Sequence, residues 1–101
     1  MTTYNKLVRD LIPEIIRSQG KEPVIRIANA EEYEAKLRAK LGEEVAEYLE
    51  SGNPEELADI MEVVHALGAL TNHTPEQLEA LRVTKATERG AFTKRIILEE
   101  A

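Results

Sequence analysis

The sequence contains no cysteine among its 101 residues. A disulfide framework and a zinc site built on thiolates are therefore excluded. A chain without cysteine fits a reducing compartment, and we expect a cytoplasmic protein.

Long apolar runs are also missing. The opening MTTYNKLVRD lacks the apolar stretch of a signal peptide, and no segment approaches the roughly 20 apolar residues of a membrane span. Thirteen basic residues against nineteen acidic ones give a formal charge of −6, which argues against binding to nucleic acid or anionic membranes. We expect neither a nucleic-acid polymer nor a membrane among the partners.

Several enzyme motifs are absent as well. The chain has no glycine-rich phosphate loop, no GxSxG and no HExxH. P-loop phosphoryl transfer, serine hydrolysis and zinc proteolysis therefore have no motif behind them.

The pattern of apolar residues and capping signals predicts one all-α domain over residues 1–101. Helices are expected at about residues 10–16, 30–50, 54–70 and 75–89. Asp10 is predicted to cap the first helix, and Thr74 to open the fourth with a capping box. Short extended segments are expected near residues 24–28 and 92–98, the second of them docked. A chain this short buries only roughly two-thirds of its unfolded surface, so a partner chain would help to complete its core.

Two groups of carboxylates lie in helices that otherwise look buried. In the second helix Glu44 projects into the apolar arc, Glu47 lies on its border, and Glu43 lies further toward solvent. In the third helix, which is apolar nearly all round, Glu56 falls in an apolar sector with Asp59 beside it. A buried ionised carboxylate is so unfavourable that it must be paired, hydrogen-bonded or bound to metal. The inward acids therefore call for a cation.

The residue types indicate which cation fits. Carboxylates with no cysteine suit a hard ion such as Mg²⁺ or Mn²⁺, and Mg²⁺ usually takes further oxygens from a phosphate. The short turn at residues 51–53 would let both groups of acids face one spot. Because Mg²⁺ held there would take its remaining oxygens from a phosphate, a phosphate ester is the expected substrate. A different interpretation stays open, in which the acids form a solvated face, Lys40 pairs with Glu44, and Glu56 complements a helix dipole.

Basic residues provide a second indication. Some project to one side of the fourth helix, others follow it, and two lie near the start of the chain. Such residues are candidates to hold a polyphosphate, although surface charge balanced by neighbouring glutamates explains them too. The candidates for phosphate binding are Lys6, Arg9, Lys85, Arg89, Lys94 and Arg95.

The motif EExxE at residues 43–47, followed by ExxD at residues 56–59, resembles the signature of the all-α nucleoside triphosphate pyrophosphohydrolases, the MazG-like superfamily. The opening YNKLVRDLIP, residues 4–13, and the closing KxxxRGxFxxRI, residues 85–96, resemble the ends of a small single-domain subgroup described as phosphoribosyl-ATP pyrophosphohydrolase-like. The resemblance covers nearly the whole chain. The spacer between the acidic motifs, residues 48–55, is short for the superfamily and leaves little room for a dedicated base pocket.

This resemblance implies a MazG-like bundle of four to five helices, completed by assembly into a homodimer or tetramer. It implies hydrolysis of a nucleoside triphosphate to the monophosphate and pyrophosphate, with Mg²⁺ as cofactor and Mn²⁺ as a substitute. The implied metal ligands are Glu44, Glu47, Glu56 and Asp59. Either Glu43 or Glu47 would activate the attacking water. Two other functions stay open: the phosphoribosyl-ATP pyrophosphohydrolase reaction of histidine biosynthesis, and a non-catalytic helical module that binds a partner through its apolar stripe.

Overall fold

The computed structural model describes residues 4–101. Within that range the protein consists of four helices without strands, as predicted for an all-α fold. The helices are α1 (Ile12–Ser18), α2 (Ala30–Ser51), α3 (Pro54–Leu70) and α4 (Pro75–Arg89). The predicted extended segments near residues 24–28 and 92–98 contain no regular strand. In the part of the chain that is described, no helix has both the length and the apolar character needed to cross a membrane.

The chain divides within α3 into two compact units. The first extends to Leu67 and includes α1, α2 and most of α3, whereas the second begins at Gly68 and includes α4 and the C-terminal segment. The single domain over residues 1–101 stays a prediction.

The connection between α2 and α3 positions the acidic residues of the first unit. Gly52 ends α2 in the left-handed conformation, with φ of 66°, which glycine adopts without the steric penalty of a Cβ. The side chain of Asn53 then accepts a hydrogen bond from the backbone N–H of Glu55 and caps the start of α3. These two residues reverse the chain, so the last turns of α2 lie beside the first turns of α3.

The apolar core is small. Among the described residues, Leu37 and Val63 are the buried apolar side chains, with exposed fractions of 4% and 8%. On α3, Leu57, Met61 and Val64 are exposed. The single chain therefore does not cover this nearly all-apolar helix on every side, because its apolar side chains point in more directions than one neighbouring helix can cover.

The first helix begins later than predicted. Leu11, not Asp10, occupies the N-cap position of α1, and no side chain in the described part of the chain caps the helix. A turn precedes it, in which the N–H of Ile12 donates to the carbonyl of Arg9. The cap prediction fails because Asp10 lies inside this turn rather than at its end.

The second unit begins with the junction of α3 and α4. The predicted capping box is present: the Thr74 hydroxyl accepts from the N–H of Gln77, and the Gln77 side chain accepts from the N–H of Thr74. Gly68 is buried, and a Cβ placed on it would lie 2.5 Å from Cδ1 of Leu78. Glycine at this position therefore lets the Leu78 side chain approach the backbone at the end of α3 within the second unit. The C-terminal segment is not docked as expected, since Phe92 is 97% exposed.

Candidate metal centre

Carboxylates of α2 and α3 converge in the first unit. One oxygen from each of Glu44, Glu56 and Asp59 lies within 4.8 Å of the other two. Glu44 belongs to α2, whereas Glu56 and Asp59 lie one turn apart on α3, so the short connection between the helices creates the group. The structure thus brings together three of the four acids proposed as metal ligands. These three residues are called the acidic cluster below.

Glu44 is the buried member of the acidic cluster, with an exposed fraction of 7%. Its Oε2 atom has no hydrogen-bond partner among residues 4–101, and the ammonium group of Lys40 lies 3.7 Å from its Oε1 atom, beyond a good hydrogen bond. Burial is the main cause that raises the pKa of the Glu44 carboxyl. A hydrogen bond shared with the Glu47 carboxyl and the negative charges of Glu47 and Asp59 raise this pKa further, whereas Lys40 lowers it. A buried carboxylate oxygen without a partner is a position that a cation would satisfy.

The other two glutamates of the first motif have different surroundings. Glu47 is exposed and is not part of the acidic cluster among the described residues. Glu43 accepts a hydrogen bond of 3.0 Å from Lys6, and this bond holds the pKa of the Glu43 carboxyl below its usual value. A carboxylate with a lowered pKa is a weaker base, so this contact reduces the ability of Glu43 to deprotonate water.

Two cations from the segment before α1 reach these acids. Arg9 donates a hydrogen bond of 2.7 Å from Nη2 to Oδ1 of Asp59, and its Nη1 atom lies 3.9 Å from Glu62. Lys6 pairs with Glu43 as described. Lys6 and Arg9 were predicted to bind phosphate, and in this structure both are ion-paired with carboxylates.

Sequence reasoning missed these pairs. The Lys6–Glu43 and Arg9–Asp59 contacts join residues that are 37 and 50 positions apart. The same segment is held against α2 by Lys36, which donates a hydrogen bond of 2.8 Å to the carbonyl of Asn5. Helical periodicity reports neighbours three or four residues away, so no local pattern signals such contacts. The available signal was an excess of inward acids over nearby cations.

The four other candidate phosphate ligands belong to the second unit. Lys85 and Arg89 lie on α4, and Lys94 and Arg95 follow it. Across residues 4–101 none of these four cations forms an ion pair. Residues 89–97 line an open cavity of about 500 Å³, and three of these cations are among the lining residues.

The acidic cluster fits a hard divalent cation. Its donors are carboxylate oxygens alone, the donor type that Mg²⁺ and Mn²⁺ prefer. The Oε2 atom of Glu44, which is buried and has no partner among the described residues, is a second observation that fits a bound cation. The fold and the site together define an all-α protein with a carboxylate-rich candidate metal centre between two helices.

Comparisons with known proteins add no family or function to this description of an all-α protein with a candidate metal centre. No family model matches the chain. An uncharacterized protein of Mycolicibacterium smegmatis is 62% identical over 42 residues, which represent 42% of this chain and 43% of that protein. The chain thus spans less than half the length of the curated relative it matches. No solved structure matches.

Proposed function

We propose that this protein is a Mg²⁺-dependent hydrolase that converts a nucleoside triphosphate into the monophosphate and pyrophosphate, acting in the cytoplasm to remove unwanted nucleotides. Glu44 carries the proposal, because its buried carboxylate belongs to a group of acids drawn from two helices and one of its oxygens has no partner among the described residues. The reaction is inferred from the motifs at residues 43–47 and 56–59, which resemble those of the MazG-like pyrophosphohydrolases.

Each acid has a proposed task. Glu44, Glu56 and Asp59 would hold the metal, and Glu47, one turn from Glu44, is the remaining candidate ligand. Bound Mg²⁺ supplies neutralisation of phosphate oxygens and a lower pKa for a coordinated water. Glu47 is the better candidate to orient the attacking water, because Lys6 already engages Glu43.

Charge supports a phosphate ligand. The four unpaired cations of the second unit are proposed to bind phosphate oxygens, for which the planar fork of arginine is well suited. These cations are Lys85, Arg89, Lys94 and Arg95. Their exposure leaves them accessible to a dissolved ligand.

Product analysis tests the reaction. Purified protein is incubated with Mg²⁺ and a panel of standard and modified nucleoside triphosphates in ¹⁸O-labelled water. We expect monophosphate and pyrophosphate, with the label in the monophosphate if water attacks the α-phosphorus. Orthophosphate with diphosphate, or no turnover across the panel, would overturn the proposal. Phosphoribosyl-ATP belongs in the same panel, since its preferential cleavage would assign the reaction of histidine biosynthesis.

Assembly into a homodimer or tetramer is part of the proposal. Its support is the exposure of Leu57, Met61 and Val64 on α3, because exposed apolar side chains favour burial against another chain. Light scattering at several protein concentrations measures the assembled mass. A monomer at every concentration would remove assembly from the proposal.

A non-catalytic interaction module is the second candidate, and a separate observation favours it. Phe92, Ile96 and Ile97 of the second unit are largely exposed and lie close together in the sequence after α4. Large apolar side chains that are exposed near one another are typical of interaction sites. Calorimetric titration with Mn²⁺ distinguishes the candidates, because absence of binding with and without a nucleotide analogue would favour the interaction module.

A further inference from the structure

The ion pairs of the segment before α1 bear directly on how the acidic cluster would exchange ligands. We propose that Arg9 neutralises Asp59 of the acidic cluster and Lys6 neutralises the neighbouring Glu43 in the metal-free protein, that a divalent cation displaces both, and that they then bind the phosphate groups that arrive with that cation. This inference rests on the proposed metal site and adds a role for the N-terminal segment in ligand exchange.

The contact between Arg9 and Asp59 creates a competition for one carboxylate. Asp59 contributes an oxygen to the acidic cluster and also accepts the 2.7 Å hydrogen bond from Arg9. A divalent cation bound by Glu44, Glu56 and Asp59 would lie within a few ångströms of the guanidinium group. Like charges at such distances repel, so metal binding weakens the Arg9–Asp59 pair.

Because Lys6 and Arg9 are exposed to solvent, little free energy is lost when their ion pairs break. The Lys6 and Arg9 side chains are 47% and 57% exposed, and ion pairs at such sites contribute little to stability. A bound metal therefore needs to offset only the small free energy of these two ion pairs in order to displace the cations. Fixed and buried partners would instead compete strongly with the metal.

The segment stays anchored when its cations are released. Lys36 on α2 donates to the carbonyl of Asn5, immediately before Lys6 and four positions before Arg9. Asn5 has a φ of 48°, a left-handed conformation that asparagine tolerates better than most residues. The anchor keeps both released cations near the site, where Arg9 offers a bidentate fork to phosphate oxygens.

A purely structural role for these pairs makes different predictions. If Lys6 and Arg9 only fastened the segment to the helices, their loss would lower stability and leave the affinity for metal unchanged or reduced. The proposed exchange instead requires opposite effects on two ligands. Removing the cations strengthens binding of the bare metal and weakens binding of the metal with phosphate.

The experiment compares the full chain with Lys6→Gln, Arg9→Gln and the double variant. Arg17→Gln is the matched control, because Arg17 pairs with Glu22 in a similarly exposed ion pair. Binding of Mn²⁺ alone, and of inorganic pyrophosphate as its preformed Mn²⁺ complex, is measured by calorimetry. Circular dichroism verifies the helical fold of each variant.

We expect the double variant to bind Mn²⁺ about two- to fivefold more tightly, the range that exposed ion pairs allow. Its affinity for the Mn²⁺–pyrophosphate complex should fall about tenfold or more. Arg9→Lys, which keeps the charge but loses the fork, should restore wild-type Mn²⁺ affinity and leave the pyrophosphate complex weakened.

Either of two results, obtained with wild-type protein that does bind Mn²⁺, would overturn this inference alone. The first is a double variant whose affinity for Mn²⁺ equals or falls below that of the wild type. The second is a double variant that binds the Mn²⁺–pyrophosphate complex as tightly as the wild type does. Wild-type protein that binds no Mn²⁺ would overturn the proposed function as well, so the two failures are distinguishable.

Discussion

Lys40 and Glu44 lie one turn apart on α2. The Lys40 ammonium lies 3.7 Å from Oε1 of Glu44, while Oε2 has no partner in the part of the chain that the structure describes. The local ion pair thus satisfies this buried carboxylate only in part. A buried charge that is incompletely paired opposes folding, and a site that accepts such a penalty is commonly one that binds a ligand.

Replacing this carboxylate separates stability from metal binding. Glu44→Gln should raise the free energy of unfolding of the metal-free protein by roughly 1 kcal/mol, because the variant removes a charge from a buried position. Added Mn²⁺ should stabilise the wild type and leave the variant unchanged. Urea denaturation with chelator or with Mn²⁺ measures both effects.

Glu50→Gln is the control for that measurement, since Glu50 lies exposed on the same helix. It should respond to Mn²⁺ as the wild type does. Equal stabilisation of the Glu44 variant by Mn²⁺ would remove Glu44 from the metal site.

The pH dependence of stability has a defined sign. The pKa of Glu44 is raised above its ordinary value of 4.5 by burial and by Glu47. An acid whose pKa is higher in the folded state contributes most favourably below its ordinary pKa, and this contribution is lost as pH rises through the folded pKa. The stability advantage of Glu44→Gln in metal-free protein should therefore be small near about pH 4 and grow toward about pH 7.

Thermal melts of both proteins across this range in chelator supply the measurement. Other acids, such as Glu43, have lowered pKa values and act in the opposite direction. The difference between wild type and variant removes their shared contribution. An advantage that shrinks as pH rises would contradict the assigned burial of Glu44.

Adjacent glutamates on α3 provide a matched test of the cluster. Glu56 lies in the acidic cluster, whereas Glu55 is exposed at the helix start. Glu56→Gln should weaken Mn²⁺ binding at least about tenfold, the scale on which even indirect partners of a metal act, and Glu55→Gln should not. Both remove one negative charge near the N-terminus of α3, so equal effects in calorimetry would indicate general electrostatics instead of a defined site.

The sequence alone predicts a large part of this fold. Caps and turns at Asn53 and Thr74 are local, and they place the starts of α3 and α4 correctly. Projection also predicts the inward position of Glu44, because it depends only on the helix period. Glu47, on the border of the same arc, is exposed, since a border position is decided by what packs beside it.

Long-range contacts are the part that periodicity does not reach. The Arg9–Asp59 pair depends on the path of the chain between Arg9 and α3, which no spacing within a helix encodes. The exposure of Met61 could not be predicted for a related reason. An apolar residue type predicts that the side chain favours burial, but it does not specify which surface covers it.

Two glycines of the helices should respond oppositely to alanine. A Cβ on Gly68 would meet the Leu78 side chain, so Gly68→Ala should lower the free energy of unfolding by about 1 kcal/mol or more through overpacking. Gly42 faces open space on α2, so Gly42→Ala should raise it by up to about 1 kcal/mol through helix propensity. Denaturant unfolding of both variants measures the difference. Similar shifts in the free energy of unfolding of both variants would contradict overpacking at Gly68 and indicate that the Leu78 side chain moves aside.

The unpaired cations of the second unit carry the last prediction. Arg89→Gln should lower kcat/KM for a nucleoside triphosphate about tenfold, the effect of losing one hydrogen bond to a charged group, while Mn²⁺ affinity in the absence of nucleotide stays unchanged. Arg82 is the matched control on the same helix, because Glu79 already engages its guanidinium group. The Arg82→Gln variant should keep wild-type kinetics. Because salt screens exposed contacts to phosphate, the difference in kcat/KM between the Arg89 and Arg82 variants should become smaller as ionic strength rises. Identical kinetics for both variants at low salt would remove Arg89 from phosphate binding.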